Sequence, residues 1–308
     1  MTQLTKLEGV IGPLVSTRIG GDTDILSFVK VTNHAISAEV QGHKIRGFWL
    51  FGATAESDKL YDTERNSFLY AAMARLAGSP ILAVVNVTAR TLDDILKYSG
   101  EAEKSGAHAL AIMPDYVDGV DYVNRVNEIV KSTSLPIVLY VNTVVGNGLG
   151  PDFESIRHLS QNPRVIGMKV SGQQIDTFLK YAGLSSSAFG VLQGSSSQLR
   201  KTTEYLAEQG RKLDGVVLGT VNFDPDLVIR AFYGIAPEGG NLEDNWRAIS
   251  QITAGYVERG NNIAYIKERL LAKHIIRSAE LLGEPVQEQR ILIPTPETTL
   301  RILGSSRQ

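Results

Sequence analysis

The sequence predicts an α/β fold, a (β/α)8 TIM barrel with a C-terminal helical extension. Three observations carry this reading. Eight short runs rich in Val, Ile and Leu recur up to about residue 236. Each run is nearly continuous in hydrophobicity, as in parallel strands covered on both faces. Stretches of helical period separate them, and strand–helix alternation of that count and spacing closes into a barrel of roughly 250 residues. A doubly wound open sheet is the alternative that the same alternation allows.

The strand runs, in order, are GVIGPLV from Gly9, GFWLFG from Gly47, PILAVVN from Pro80 and AHALAIMP from Ala107. PIVLYVN from Pro136, RVIGMKV from Arg164, FGVLQG from Phe189 and DGVVLGT from Asp214 follow. Among the helical stretches are TERNSFLYAAMARLA from Thr63, TLDDILKYSGEAEKSG from Thr91 and SQLRKTTEYLAEQG from Ser197. From about Pro237 the strand runs stop. NLEDNWRAISQITAGYVERG and IAYIKERLLAKHIIRSAELLG read as two long helices, and a Pro-rich tail, ILIPTPETTLRIL, follows. Residues 1–236 are therefore assigned to the barrel and 237–308 to an extension packed on it.

The chain of 308 residues is 43% hydrophobic and 21% charged, with a formal net charge of -2 and no basic block or acidic tail. Nothing in that balance favours nucleic acid or an anionic membrane as partner. There is no cysteine, which excludes disulfides, thiolate zinc sites and Cys nucleophiles and is compatible with a cytoplasmic chain. The first residues lack the apolar stretch of a secretory signal, and no run approaches the length of a membrane span.

A barrel places its active site at the carboxyl ends of the strands, so the informative residues are the polar ones that end each run. Strand two ends in Gly52-Ala53-Thr54-Ala55-Glu56, strand three at Asn86, and strand four runs into Pro114-Asp115-Tyr116. Strand five offers Tyr140 and Asn142, and strand six offers Lys169 followed by Ser171. Strand seven gives Gln193-Gly194-Ser195 and strand eight Gly219-Thr220-Val221-Asn222. Lys169 stands out, because an ammonium ending an apolar strand is costly to desolvate. Apolar surroundings favour the neutral amine, which attacks a ketone; the resulting protonated imine is an electron sink that allows cleavage or formation of the adjacent C–C bond. The bland alternative is a lysine that snorkels from the barrel mouth or pairs with a carboxylate. Tyr140 ends the preceding run, so the barrel sets it beside Lys169, where a phenol can shuttle protons; otherwise it is a core aromatic with a wet hydroxyl. The glycine-led turn at Thr54 suits a carboxylate. Gly52, Ala53, Thr54, Glu56, Ser171, Gly194, Ser195 and Thr220 are read as substrate-binding positions. The five histidines are scattered without metal-ligand spacing, so no metal site is expected. Gly146-Asn147-Gly148-Leu149-Gly150 lacks the spacing of a dinucleotide fingerprint, and no cofactor is expected.

The order GATAE, PDY, LYVN, GMKVSG resembles the pyruvate-dependent class I aldolases of the dihydrodipicolinate synthase and N-acetylneuraminate lyase family, over about Gly9 to Asn222. The resemblance implies that Lys169 forms a Schiff base with a 2-oxo acid and that Tyr140 is the acid/base. It implies that Gly52 to Glu56 hold the carboxylate, and that Tyr116 reaches across a subunit contact to complete a proton relay. It also implies a homotetramer built as a dimer of dimers, with pyruvate and an aldehyde as small-molecule partners. Two departures matter. Ala53 replaces the hydroxyl that links the two tyrosines in the family, so water or substrate must supply the link. Val145 stands where the synthases carry an arginine for a semialdehyde carboxylate, which argues against lysine biosynthesis. The expected activity is a carbon–carbon lyase acting on a 2-keto-3-deoxy sugar acid or a 4-hydroxy-2-oxoglutarate. Dihydrodipicolinate-type condensation, a hydratase or dehydratase using the same imine, and a 2-oxo acid-binding regulatory barrel are the alternatives.

Overall fold

The computed structural model describes residues 4–113, 119–142, 152–172 and 174–283. Eight parallel strands form a closed barrel: β1 (Gly9–Pro13), β2 (Gly47–Leu50), β3 (Leu82–Asn86), β4 (Ala109–Ile112), β5 (Ile137–Asn142), β6 (Val165–Ser171), β7 (Gly190–Gln193) and β8 (Gly215–Val217). Neighbours in sequence are neighbours in the sheet, and β1 closes on β8 through the register Gly9↔Gly215 to Ile11↔Val217. The closure is tight. A Cβ on Gly215 would lie 2.5 Å from the Gly9 carbonyl oxygen, so only glycine lets the two backbones approach.

Helices α1 (Ile25–Ser37), α2 (Asp62–Leu76), α3 (Leu92–Lys104), α4 (Gly119–Ser132), α5 (Phe153–Leu159), α6 (Ile175–Ala182), α7 (Leu199–Glu208) and α8 (Pro225–Tyr233) alternate with the strands. Their starts follow from sequence: Asp24, Thr91, Asp152 and Asp224 each accept a backbone N–H of the first turn, and Pro225 takes the first helical position of α8. Two layers of apolar side chains result. An outer layer, including Phe28, Phe68, Leu139 and Met168, lies between strands and helices. An inner set, including Leu7, Ile11, Trp49, Val84, Val138, Ile166, Leu192 and Val217, fills the lumen. Two short antiparallel ribbons, Arg18–Ile19 with Asp22–Thr23 and Glu39–Val40 with His43–Lys44, lie outside the barrel; the sequence reading did not anticipate them.

The first helix of the extension, α9 (Leu242–Arg259), runs from a capping box at Asn241 and Asp244 to a left-handed Gly260, as its sequence predicts. The second, α10 (Asn262–Ala272), is shorter than the helix expected through Gly283. It ends in a Schellman-type closure. His274 adopts φ +57°, His274 N–H reaches Leu271 O at 2.9 Å, and Ile275 N–H reaches Leu270 O at 3.0 Å. A histidine in the place usually taken by glycine hides that stop from the sequence. The chain then runs back along the barrel. Arg277 bonds Asp24, Glu280 accepts the N–H groups of Gly20 and Gly21, and Leu282 N–H reaches the Glu56 carboxylate. No described helix is long and apolar enough to cross a membrane.

Candidate active site

One feature of β6 decides where Lys169 points. Val165 packs outward and Ile166 inward, yet Met168 is again outward. The register against β5 shifts between Val165 and Gly167, a β-bulge that inserts one residue. Beyond it the pairs are Met168↔Leu139 and Lys169↔Tyr140, so Lys169 and Ser171 share the inward face with Tyr140 and Asn142. Without the extra residue Lys169 would face the helices. Gly167 permits the bulge, because a Cβ there would lie 2.6 Å from the Gly190 carbonyl oxygen on β7.

Lys169 is 5% exposed and Tyr140 2% exposed. The Lys169 Nζ lies 4.3 Å from the centroid of the Tyr140 ring and 5.1 Å from that of Trp49, and the two rings meet edge to face at 5.4 Å. Among the described residues no carboxylate lies within ion-pair distance of that amine. The Tyr140 hydroxyl oxygen accepts a hydrogen bond from Asn142 Nδ2 at 3.0 Å, which leaves its own O–H to donate elsewhere.

Both residues border a cavity of about 510 Å³ at the carboxyl ends of the strands. Ala53 and Thr54 line it from β2, Asn142 from β5, Ser171 and Gly172 from β6, and Gly194, Ser195, Ser196 and Ser197 from β7. Gly219 contributes from the end of β8. Thr253, Tyr256, Val257 and Asn262 of the extension close the far side. Lys169 is the one charged side chain among these described lining residues. Among the described residues no three His, Cys, Asp or Glu side chains converge as a metal site would require.

The turn after β2 is a single 3-10 turn, Ala53–Ala55, entered from Gly52 and flanked by two non-glycine residues in the left-handed region, Phe51 at φ +59° and Glu56 at φ +50°. Such backbone costs energy and persists only when its surroundings hold it. Here Asn86 Nδ2 donates to Phe51 O at 2.8 Å, and Ser16 Oγ donates to Ala55 O at 2.8 Å. Arg65, stacked between the rings of Phe51 and Tyr98, donates to Asn86 O; its burial pulls the guanidinium down to about 10. The first amides of a helical turn have no partner within it, so this turn presents N–H groups near Thr54.

Three expected contacts lie elsewhere. Glu56 is buried away from the cavity. Its carboxylate accepts Lys267 Nζ at 2.8 Å and Leu282 N–H at 3.1 Å, because a buried carboxylate needs a countercharge and α10 supplies one. Burial pushes the Lys267 ammonium down, while Glu56 opposes that shift. Thr220 is buried behind the cavity wall, its hydroxyl 3.2 Å from that of Tyr256, whose phenol burial pushes up. Gly52 does not line the cavity; it packs on the Trp49 indole. Tyr116, Val145 and the glycine-rich stretch from Gly146 to Gly150 lie outside the described residues.

Sequence reasoning assigned no role to Asn142, Trp49, Thr253, Tyr256 or Asn262. Asn142 had a signal: it stands two residues beyond Tyr140, on the same face of the strand. The others had none: Trp49 sits inside an apolar strand run and reads as core, and nothing in a helical period says which wall α9 and α10 complete.

A family model described as the dihydrodipicolinate synthetase family matches residues 6–283. The 4-hydroxy-tetrahydrodipicolinate synthase of Stenotrophomonas maltophilia (strain K279a) is 26% identical over 209 residues, 66% of this chain and 67% of that protein. Matches to the curated relatives span from about half to two thirds of their length. The structure of dihydrodipicolinate synthase from Bacteroides thetaiotaomicron superposes with a TM-score of 0.77 at 17% identity, covering 98% of this chain and 100% of that one. That of 2-keto 3-deoxygluconate aldolase from Picrophilus torridus gives 0.70 at 18% identity, covering 87% and 93%. At those identities the structures speak for the fold.

Proposed function

The chain belongs to the dihydrodipicolinate synthetase family, and we propose that it is a metal-independent carbon–carbon lyase acting through a Schiff base on Lys169. One observation carries the proposal: a buried amine, unpaired with any described carboxylate, stands opposite a tyrosine on the floor of an open cavity. The neutral amine of Lys169 adds to the C2 carbonyl of a 2-oxo acid, and loss of water gives the protonated imine. The departing water carries the Tyr140 proton, and in the cleavage direction the resulting tyrosinate takes the proton of the C4 hydroxyl. The C3–C4 bond breaks to release an aldehyde, and its electrons pass to the imine as an enamine. Protonation at C3 and hydrolysis then free pyruvate. The condensation runs through the same steps in reverse. The turn at Thr54 supports the substrate carboxylate with N–H groups and a hydroxyl.

The lining supports a neutral, hydroxylated acceptor. Thr54, Asn142, Ser171, Ser195, Thr253 and Tyr256 offer hydroxyls and an amide, with no described cation besides Lys169. A carboxylate-bearing aldehyde would pay its desolvation there without a countercharge. A 2-keto-3-deoxy sugar acid therefore suits the cavity better than an aspartate-semialdehyde-type substrate. The test is borohydride reduction in the presence of pyruvate, followed by peptide mapping, then turnover with pyruvate and a panel of glyceraldehyde, glyoxylate and aspartate semialdehyde, each with and without a chelator. We expect label on Lys169, turnover that survives the chelator, and the highest rate with glyceraldehyde. An unmodified protein, or label spread over surface lysines, overturns the Schiff base; a preference for aspartate semialdehyde overturns the substrate class.

A further inference from the structure

Trp49 is fully buried in the lumen, paired in register with Pro13 on β1 and Val84 on β3. Three parts of the site meet on its indole. The Lys169 Nζ lies 5.1 Å from the ring centroid, inside the range of about 6 Å over which a ring face attracts a cation. The Tyr140 ring stands edge to face against it. Gly52, which opens the turn after β2, rests on it so closely that a Cβ there would come 3.0 Å from Cδ1 and 3.1 Å from Nε1.

The indole N–H is the informative atom. It is buried and has no hydrogen-bond partner among the described residues. A buried unsatisfied donor costs stability that a phenylalanine would not cost. What the indole supplies here is therefore its ring, and tryptophan has the ring face with the strongest attraction for cations. The cation facing it is Lys169. Around that amine, β5 contributes Tyr140 as the titratable group, while the residues of β7 and its end that line the cavity or fill the lumen, Leu192, Gly194, Ser195, Ser196 and Ser197, carry no charge. No described carboxylate competes for the nitrogen.

We propose that Trp49 is a positioning residue whose ring face stabilises the cationic nitrogen on Lys169 and so favours the protonated imine over the neutral amine and free ketone. This rests on the Schiff-base reading above. A ring that merely excludes water has the opposite effect, because dry surroundings penalise the cation.

The experiment follows borohydride trapping of pyruvate against pH in the parent chain, Trp49→Phe and Trp49→Leu, with thermal melts confirming folding. On the alkaline side of the acid limb, where the attacking amine is neutral, the trapped fraction in Trp49→Leu falls about fivefold or more, and the limb of the trapping rate moves to lower pH by roughly half a unit or more. Trp49→Phe recovers part of both. A limb that moves to higher pH, or trapping unchanged in Trp49→Leu, overturns the proposal. Fluorinated tryptophan supplies a version independent of folding. In a Trp246→Phe background Trp49 is the sole tryptophan, and added fluorines weaken the ring's negative face while nearly keeping its shape. Trapping falls stepwise with fluorine number if the proposal holds, and a flat series overturns it. Absence of trapping in the parent chain is a different result, since it removes the Schiff base itself.

Discussion

Gly194 is the position where one added methyl group tests the geometry of the site. A Cβ there would stand 2.2 Å from Ser171 Oγ, 2.8 Å from Lys169 Cε and 3.0 Å from the Val170 carbonyl oxygen. The serine hydroxyl can rotate away. The carbonyl cannot move freely, because it belongs to β6 and accepts Gly194 N–H at 2.7 Å. Lys169 must therefore yield, from 2.8 Å to an ordinary contact of 3.4 Å or more. A displacement of about 1 Å at a reacting group costs on the order of a hundredfold, so Gly194→Ala should slow imine formation and turnover by about ten- to a hundredfold. Overpacking of this kind costs about 1–3 kcal/mol, leaving a folded protein with a modestly lower Tm. Stopped borohydride trapping measures the first quantity, aldehyde release the second, and a thermal melt the third. Gly100→Ala is the control: that glycine lies within α3, and its Cβ would meet nothing among the described residues within 4 Å. Trapping in Gly194→Ala within about threefold of the parent rate would refute the placement of Lys169.

Tyr140→Phe should lower turnover by about 10²–10⁴ while pyruvate trapping persists in part, since on the proposed mechanism Lys169 does the attacking; equal loss of both would show that the phenol is needed to form the imine. Arg277→Gln tests the closing of the extension on α1. Burial alone would raise the Asp24 carboxyl, but hydrogen bonds from Arg277 and Ser27 outweigh it and hold it below the ordinary value of 3.8. That contribution is present above pH 3.8 and is lost as pH falls through the lower folded-state value. Arg277 is half exposed, so its removal should cost only about 1 kcal/mol at pH 7. Thermal melts should show the two proteins converging below pH 3.8; a difference that persists or grows there would contradict the linkage.

The strands were legible because buried parallel strands leave continuous apolar runs, and all eight runs form barrel strands. Lys169 was legible because a lysine at the end of such a run breaks the pattern. Its inward aim was not. Counting alternate residues from Ile166 points Lys169 outward, and only the bulge at Gly167 reverses it. A bulge depends on how two strands pair, which neither strand encodes alone. Glu56 misled for a related reason. The countercharge that buries it, Lys267, lies 211 residues away, and only the fold brings them together. His274 hid the end of α10 because a left-handed conformation in a non-glycine residue follows from tertiary contacts such as those of Arg277 and Glu280. The walls given by Thr253 and Tyr256 required knowing that α9 lies across the barrel mouth.

Ala53 now has a setting. It borders the cavity together with Thr54 and Tyr140. Its methyl can neither donate nor accept a proton. Asn142 occupies an acceptor position on the Tyr140 hydroxyl through its Nδ2, so the phenol is oriented without the missing hydroxyl, and its proton is directed away from the amide. Orientation and proton transfer, which one relay hydroxyl would serve together, are thus separated. Asn142 supports the first, and on the proposed mechanism whatever fills the space beside Ala53 serves the second. On the proposed reading that is a hydroxyl of the bound substrate or a water it retains. Acceptor identity would then act on proton transfer as well as on binding. Discrimination among aldehydes would appear in kcat and not in KM alone, as expected where the interaction is made in the transition state.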